Sequence, residues 1–271
     1  MNRSIALLAL VCGVYAPTAA AQSTVFFSDF ESPLSAQISP GVAAVTGVQG
    51  YQGLGPAGNA FAGSFLRSPT GNLVTLTLVD LPPHDAVDVL FLFAAIDSLD
   101  GTGTFPEGDF LHVRVDGGTI FRESFANATP FQDQTYVPPP GVELARRVDL
   151  GFSGPGGFYT DSAYNLAADP VFSGIPHTAP TLTISFIMEG PGIQPLDDES
   201  WALDNLRIVL HGGCIADFNA DGFVDFFDFL DFVECFEGVA CPPDASPDID
   251  GDGFVDFFDF IAFVDAFEIG C

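Results

Sequence analysis

The stretch Leu73-Val-Thr-Leu-Thr-Leu-Val-Asp-Leu81 decides the class of fold. From Thr75 to Leu78 hydroxyl and apolar side chains alternate. A period of two belongs to a half-buried strand, because successive side chains point to opposite faces of a sheet. Working outward, residues 89–96 are an apolar run that reads as a buried strand, and Asp116-Gly-Gly-Thr119 reads as a hairpin turn between two further strands. The pattern predicts strands at 24–30, 73–81, 87–97, 110–116, 119–125, 181–188 and 201–210. Gly and Pro punctuate these segments, and no long amphipathic helix intervenes. The expectation for 22–213 is a β-sandwich of the jelly-roll kind.

Charge narrows the function. The 271 residues carry 36 acidic groups, seven arginines and no lysine, for a formal net charge of -29. Binding to a nucleic-acid backbone needs a basic face, and an anionic membrane needs one too. Residues 1–21 open with Arg3, continue with an apolar core over 5–14 and end on small residues. That is the pattern of a signal peptide cleaved near Ala21/Gln22, so the expectation is an exported protein with no membrane span. Cysteine usage agrees. Cys214, Cys235, Cys241 and Cys271 all lie in the last 58 residues, which implies two disulfides with three possible connectivities. Cys235–Cys241 and Cys214–Cys271 are the favoured pairs, one closing a short loop and one clasping the ends of the segment.

Residues 214–271 change character, with 15 acidic groups and no basic one. Asp221-Gly-Phe-Val-Asp-Phe-Phe-Asp-Phe229 recurs identically as Asp252-Gly-Phe-Val-Asp-Phe-Phe-Asp-Phe260. A twelve-residue calcium loop takes oxygens from positions 1, 3, 5, 7, 9 and 12 and has Gly at position 6. The first loop offers Asp217, Asn219, Asp221, the carbonyl of Phe223, Asp225 and Asp228. The second offers Asp248, Asp250, Asp252, the carbonyl of Phe254, Asp256 and Asp259. Gly222 and Gly253 occupy the turn, and Val224 and Val255 stand where paired loops form a short β-bridge. In the helices expected after the loops, Phe226, Phe229, Leu230 and Val233 share one face, as do Phe257, Phe260, Ile261 and Val264. These faces are expected to form the small core. Phe227, Phe232, Phe258 and Phe263 fall on the flanks, either as further core or as a docking surface for a partner.

This segment resembles a dockerin module on the residues Asp-Phe-Asn-Ala-Asp-Gly (217–222) and Asp-Ile-Asp-Gly-Asp-Gly (248–253), with Asp at position 12. The resemblance covers about a fifth of the chain. It implies two bound Ca2+ ions, two loop–helix units and a cohesin-like or other surface protein as partner. Dockerins often carry small hydroxyl residues at loop positions 10 and 11, where this chain has Phe226-Phe227 and Phe257-Phe258.

In 22–213 two acidic clusters stand out, one from Asp97 to Asp100 and one from Asp197 to Glu199, with Asp204-Asn205 beyond it. The early Asp29-Phe-Glu31 and the late Trp201-x-x-Asp-Asn205 are similar to the jelly rolls of MAM domains and carbohydrate-binding modules. That resemblance implies a structural calcium held by Glu31 and Asp204. Trp201 reads as core. Tyr51, Tyr136, Tyr159 and Tyr164 read either as glycan platforms or as ordinary surface residues. No Gly-x-Ser-x-Gly or His-Glu-x-x-His occurs, and the four histidines are scattered. The sequence thus reads as an exported, non-catalytic protein in which a dockerin-like tail docks a binding or adhesion module, with glycan as one candidate ligand. A dockerin-bearing polysaccharide hydrolase and a purely structural surface protein are the alternatives.

Overall fold

The computed structural model describes residues 22–269 except 83, 103–107, 128–130, 153–158, 213–214, 220, 222, 243–244 and 250–251. The expected signal peptide, Cys214–Cys271 and Asp250 therefore lie outside the described residues. Contacts divide the chain into two compact units, Gln22–Gly212 and a second holding Gly213–Cys271. No helix among the described residues is long and apolar enough to cross a membrane.

The larger unit is a sandwich of two antiparallel sheets. The strands are β1 (Gln22–Ser28), β2 (Ile38–Ser39), β3 (Ala44–Gly47), β4 (Ser64–Pro69), β5 (Val74–Leu78), β6 (Ala86–Asp97) and β7 (Phe110–Val115). They continue with β8 (Gly118–Ser124), β9 (Glu143–Val148), β10 (Asp161–Asn165), β11 (Ile175–Pro176), β12 (Leu182–Glu189) and β13 (Glu199–His211). One sheet runs β3-β4-β13-β6-β10-β9, with β1 on β13 and β11 on β6. The other runs β2-β5-β12-β7-β8. All seven expected strands are present. Between the sheets lies the main core, which includes Leu76, Phe91, Phe93, Phe125, Ile184, Phe186 and Trp201.

Strand β6 explains its own lack of alternation. Val87, Val89, Phe91, Phe93 and Ala95 face the inter-sheet core. Leu92, Ala94 and Ile96 face the opposite side, where Val48, Tyr51, Phe61 and Phe65 cover them. A strand buried on both faces reads as a near-continuous apolar run. Ala94, Ala163 and Ala202 are small there, which lets the segment around Tyr51 lie close, and the Tyr51 hydroxyl donates to the Ala95 carbonyl at 3.0 Å.

Strand β13 carries a bulge. Its core residues are Trp201 and Leu203 before the break, then Leu206, Ile208 and Leu210 after it. The parity changes because the register with β6 slips between Asp204 and Arg207, and Asn205 adopts φ +49°. Asparagine tolerates this left-handed geometry better than most residues. Bulges re-aim side chains at such points, and here the side chains concerned are Asp204 and Asn205.

The smaller unit has two helices, α1 (Phe226–Phe236) and α2 (Phe257–Ile269). Its buried core is Phe218, Phe232, Cys235 and Phe263. Phe232 and Phe263 stack with centroids 3.9 Å apart, and Phe218 meets both edge-on. This corrects two expectations. Phe232 and Phe263 are fully buried and are not a docking surface. Phe226, Leu230, Phe257 and Ile261 are exposed, so the core stripe of α1 is Phe229, Phe232, Val233 and Phe236. The reason is Phe218, a loop ring that packs at mid-helix and draws the contact away from the first turn. Cys235 is bonded to Cys241, as expected. Val224 and Val255 are not paired by a β-bridge.

Candidate metal sites and docking surface

The bulge in β13 places Asp204 and Asn205 in a cleft of about 310 Å³ that is also lined by Phe27, Asp29, Glu31, Gly58, Ala60 and Ala62. The two residues expected to share a calcium, Glu31 and Asp204, thus line one cleft. Glu31 Oε1 accepts the Ser64 N–H at 2.6 Å. The carboxylate passes so near Gly63, itself at φ +48°, that a Cβ there would lie 2.3 Å from both oxygens. Asp204 is buried and accepts the N–H groups of Asn205 at 2.7 Å and Ala62 at 3.3 Å. Burial raises its pKa to about 7, and the negative charges of Glu31 and Asp29 add to that, while the two N–H groups oppose it. The donor set is oxygen-only, which fits a hard cation. Asp29, Glu31 and Asp204 do not bring three oxygens within 4.8 Å of one another; among the described residues only Asp100, Asp109 and Glu199 do.

In the tail, the loop carboxylates hold the loop backbone. Asp217 Oδ1 and Asn219 Oδ1 both accept the Asp221 N–H at 3.0 Å. Asp221 Oδ1 accepts from Phe223 and Asp225 Oδ1 from Phe227. Asp228 is fully buried and accepts from Asn219 with one oxygen and from Asp225 with the other. Asp225 and Asp228 together form a capping box on α1. The second loop repeats the theme. Asp252 accepts from Phe254 and Asp256 from Phe258, while the buried Asp259 accepts from Ile249 and Asp256. Gly253 stands at φ +89°, the left-handed geometry that position 6 requires. Asp248 Oδ2 accepts from Gly253, and its Oδ1 is buried without a donor. An orphaned buried oxygen in an all-oxygen loop fits a bound cation. Anionic side chains in the first turn also suit the positive end of each helix dipole.

Four rings beside the loops, Phe226, Phe227, Phe257 and Phe258, are about two-thirds exposed, at 64–67%. Phe223 and Phe254 are exposed as well. The repeat therefore displays Phe227 and Phe258 outward, unlike Phe232 and Phe263.

Three tyrosines are not surface residues. Tyr51, Tyr136 and Tyr164 are buried, and Tyr136 donates to Asp169 Oδ2 at 2.6 Å. Trp201 is core, its indole N–H donating to the Pro69 carbonyl at 3.2 Å. The histidines bond within the sandwich. His84 and His177 bond each other at 2.7 Å, and His177 bonds Asp116 at 2.9 Å. His112 sits among Thr119, Arg114 and Glu189. Sequence reasoning missed the convergence of Asp100 and Asp109 on Glu199. Its only signal was that two acidic clusters flank strands that pair, with Asp97 opposite Glu199.

No protein-family model matches the sequence, and no curated protein matches it either. Among solved structures, the chain is similar to a family 35 carbohydrate-binding module from Clostridium thermocellum at 11% identity, covering 69% of this chain and 99% of that one, with a TM-score of 0.28. It is similar to the CBM22-1 xylan-binding domain of Paenibacillus barcinonensis Xyn10C at 14% identity, covering 72% and 99%, with a TM-score of 0.29. The Agl-KA catalytic domain matches at 16% identity over 84% of this chain and 37% of that one, with a TM-score of 0.32.

Proposed function

We propose that the chain is an exported binding protein of two modules. Residues 214–271 act as a dockerin-like tail that binds two Ca2+ ions and presents the Phe226-Phe227 and Phe257-Phe258 pairs to a cohesin-like or other extracellular surface protein. Residues 22–213 act as a non-catalytic binding module. The observation that carries the reading is the repeated loop, in which aspartates cap a helix and hold the loop N–H groups beside an exposed phenylalanine pair. The ligands in the first loop are Asp217, Asn219, Asp221, Asp225, Asp228 and the Phe223 carbonyl. Those in the second are Asp248, Asp250, Asp252, Asp256, Asp259 and the Phe254 carbonyl. A bound ion offsets the repulsion among these carboxylates and so couples metal to folding. Chelation with EDTA is expected to abolish the helical circular-dichroism signal while the sandwich, followed by Trp201 fluorescence, stays folded. A helical signal unchanged by chelation refutes the reading.

For the sandwich, the cleft supports a glycan as ligand. It sets an exposed ring, Phe27, beside the carboxylates of Asp29, Glu31 and Asp204 and the Asn205 amide. Sugars bind where an apolar face meets a hydrogen-bonding rim. A glycan screen of the whole protein with calcium, and again with EDTA, tests it. Binding lost in Phe27→Ala supports the cleft, and no binding in either condition by a folded protein favours the structural alternative.

A further inference from the structure

A second group of acids in the sandwich points to a ligand of its own. Asp100 follows β6, Asp109 precedes β7 and Glu199 opens β13. One carboxylate oxygen from each lies within 4.8 Å of the others. Asp109 and Glu199 are wholly buried, at 0% exposure, and Asp100 is partly open to solvent. No ion pair involving any of the three occurs among the described residues.

The surrounding hydrogen bonds fix these groups and leave one oxygen over. Asp109 Oδ2 accepts the N–H groups of Asp100 at 2.5 Å and Gly101 at 3.3 Å. Glu199 accepts from the Gln194 N–H at 2.9 Å and from its side-chain amide at 2.8 Å. The Gln132 amide donates to Asp100 Oδ1. Asp109 Oδ1 is buried with no N–H donor, and its neighbour is the Glu199 carboxyl, which bonds it only when one of the two carries a proton. A buried acceptor left over in this way demands a positive partner or a proton.

We infer that Asp100, Asp109 and Glu199 form a cation site at the end of the inter-sheet core, distinct from the Glu31/Asp204 cleft and from the tail loops. The donors are all hard oxygens, with no histidine or cysteine among them, so the ion is a calcium-class cation. Three carboxylates leave room in a shell of six to eight oxygens, and waters complete it from the open side at Asp100. The ion would tie the β6–β7 connection to the start of β13. The rival is a single proton shared by Asp109 and Glu199. Burial lifts both pKa values, to about 6 for Asp109 and about 9 for Glu199; the charge of Asp109 adds to the rise at Glu199, and a hydrogen bond between the two carboxyl groups lowers the one and raises the other.

Trp201 gives a selective assay. It is the chain's only tryptophan, buried in the main core, and lies two residues from Glu199 on the same face of β13, about 7 Å along the strand. Residues 214–271 contain no tryptophan or tyrosine. Terbium added to the full chain and excited through tryptophan is therefore expected to emit from the sandwich, and calcium is expected to quench that emission by displacement. Glu199→Gln keeps the shape and lets an amide donate to Asp109 Oδ1. It is expected to abolish the emission and to leave the protein folded, as read from circular dichroism. Asp100→Asn, at the partly exposed ligand, is expected to weaken terbium binding at least tenfold and provides the check if Glu199→Gln fails to fold. No tryptophan-sensitised emission from the native chain overturns the inference and leaves the shared proton. Emission that survives Glu199→Gln but is lost in Asp204→Asn also overturns it, by placing the ion in the Glu31 cleft.

Discussion

Replacing Phe232 by alanine separates the two uses of phenylalanine in the tail. The ring is wholly buried, stacks on Phe263 at 3.9 Å and meets Phe218 edge-on. Truncating a buried phenylalanine costs about 3–5 kcal/mol through lost transfer energy and the cavity left behind. An aromatic pair adds about 0.5–1.5 kcal/mol beyond its buried area. A module of 58 residues has little to spare, since a core of that size rarely supplies more than about 3–5 kcal/mol. Each loop ion, at a hundred times its dissociation constant, adds about 2.7 kcal/mol. Phe232→Ala is thus expected to fold only near calcium saturation, where the native tail folds at lower calcium. The assay is urea titration of the helical circular-dichroism signal at several calcium concentrations, with Trp201 fluorescence following the unfolding of the sandwich separately. Phe227→Ala removes a ring that is 64% exposed and is expected to shift the tail's stability by no more than about 0.5 kcal/mol while weakening the partner complex. If Phe227→Ala destabilises the tail as much as Phe232→Ala, the division of core from docking surface is wrong.

Gly63→Ala forces a Cβ against the Glu31 carboxylate from a left-handed backbone and is expected to cost about 1–3 kcal/mol. Gly58→Ala, also left-handed but with nothing within 4 Å, isolates the backbone part, so equal losses of melting temperature in the two variants refute the Glu31 contact. Asp97 is buried, lies 3.5 Å from Arg67 and has its pKa raised to about 8, mainly by burial and then by Asp161. Because the folded value lies above the unfolded one, its stabilising contribution is complete below about pH 4. It is lost as pH rises from there through about 8, on the order of 1.4 kcal/mol for each pH unit crossed. Asp97→Asn is expected to flatten that decline in urea denaturation followed by Trp201 between about pH 5 and 9, and an unaltered slope refutes the assignment. Asp228→Asn replaces one of the two oxygens that receive the Asn219 and Asp225 N–H groups with a donor, so α1 is expected to lose helicity and the first loop its calcium, read by calorimetric stoichiometry falling from two tail ions to one.

The seven strands read from the sequence are those whose two faces differ, or whose apolar run is long. Strand β12 is legible because Leu182, Ile184, Phe186 and Met188 face the core while Thr183, Ser185 and Ile187 do not. Six strands escape, β2, β3, β4, β9, β10 and β11, and three of them show why. β10, Asp-Ser-Ala-Tyr-Asn, is buried at every position and carries polar residues that hydrogen-bond within the sheet, so it shows neither alternation nor an apolar run. β2 and β11 are two-residue edge pieces below the length at which a period can show. In the tail, local spacing located both helices. The wheel misplaced the core because Phe218, the ring that decides which face is buried, precedes the helix by eight residues.

Acidic residues make the same point more sharply, because equal chemistry along the chain ends in unlike surroundings. Asp197-Asp-Glu199 looks like one solvated turn, yet Glu199 is wholly buried while Asp197 is exposed. Strand pleating accounts for the difference: Glu199 is the first residue of β13 and shares the face of Trp201, so it turns inward to the end of the core. Five residues later the same strand delivers Asp204 to the opposite face, and the bulge at Asn205 holds it beside Glu31. One strand thereby feeds two separate acidic sites on opposite faces of one sheet. A resemblance built on the early Glu and the late Asp finds only one of them. The other depends on Asp100 and Asp109 returning across the sandwich, a long-range pairing that no local pattern encodes.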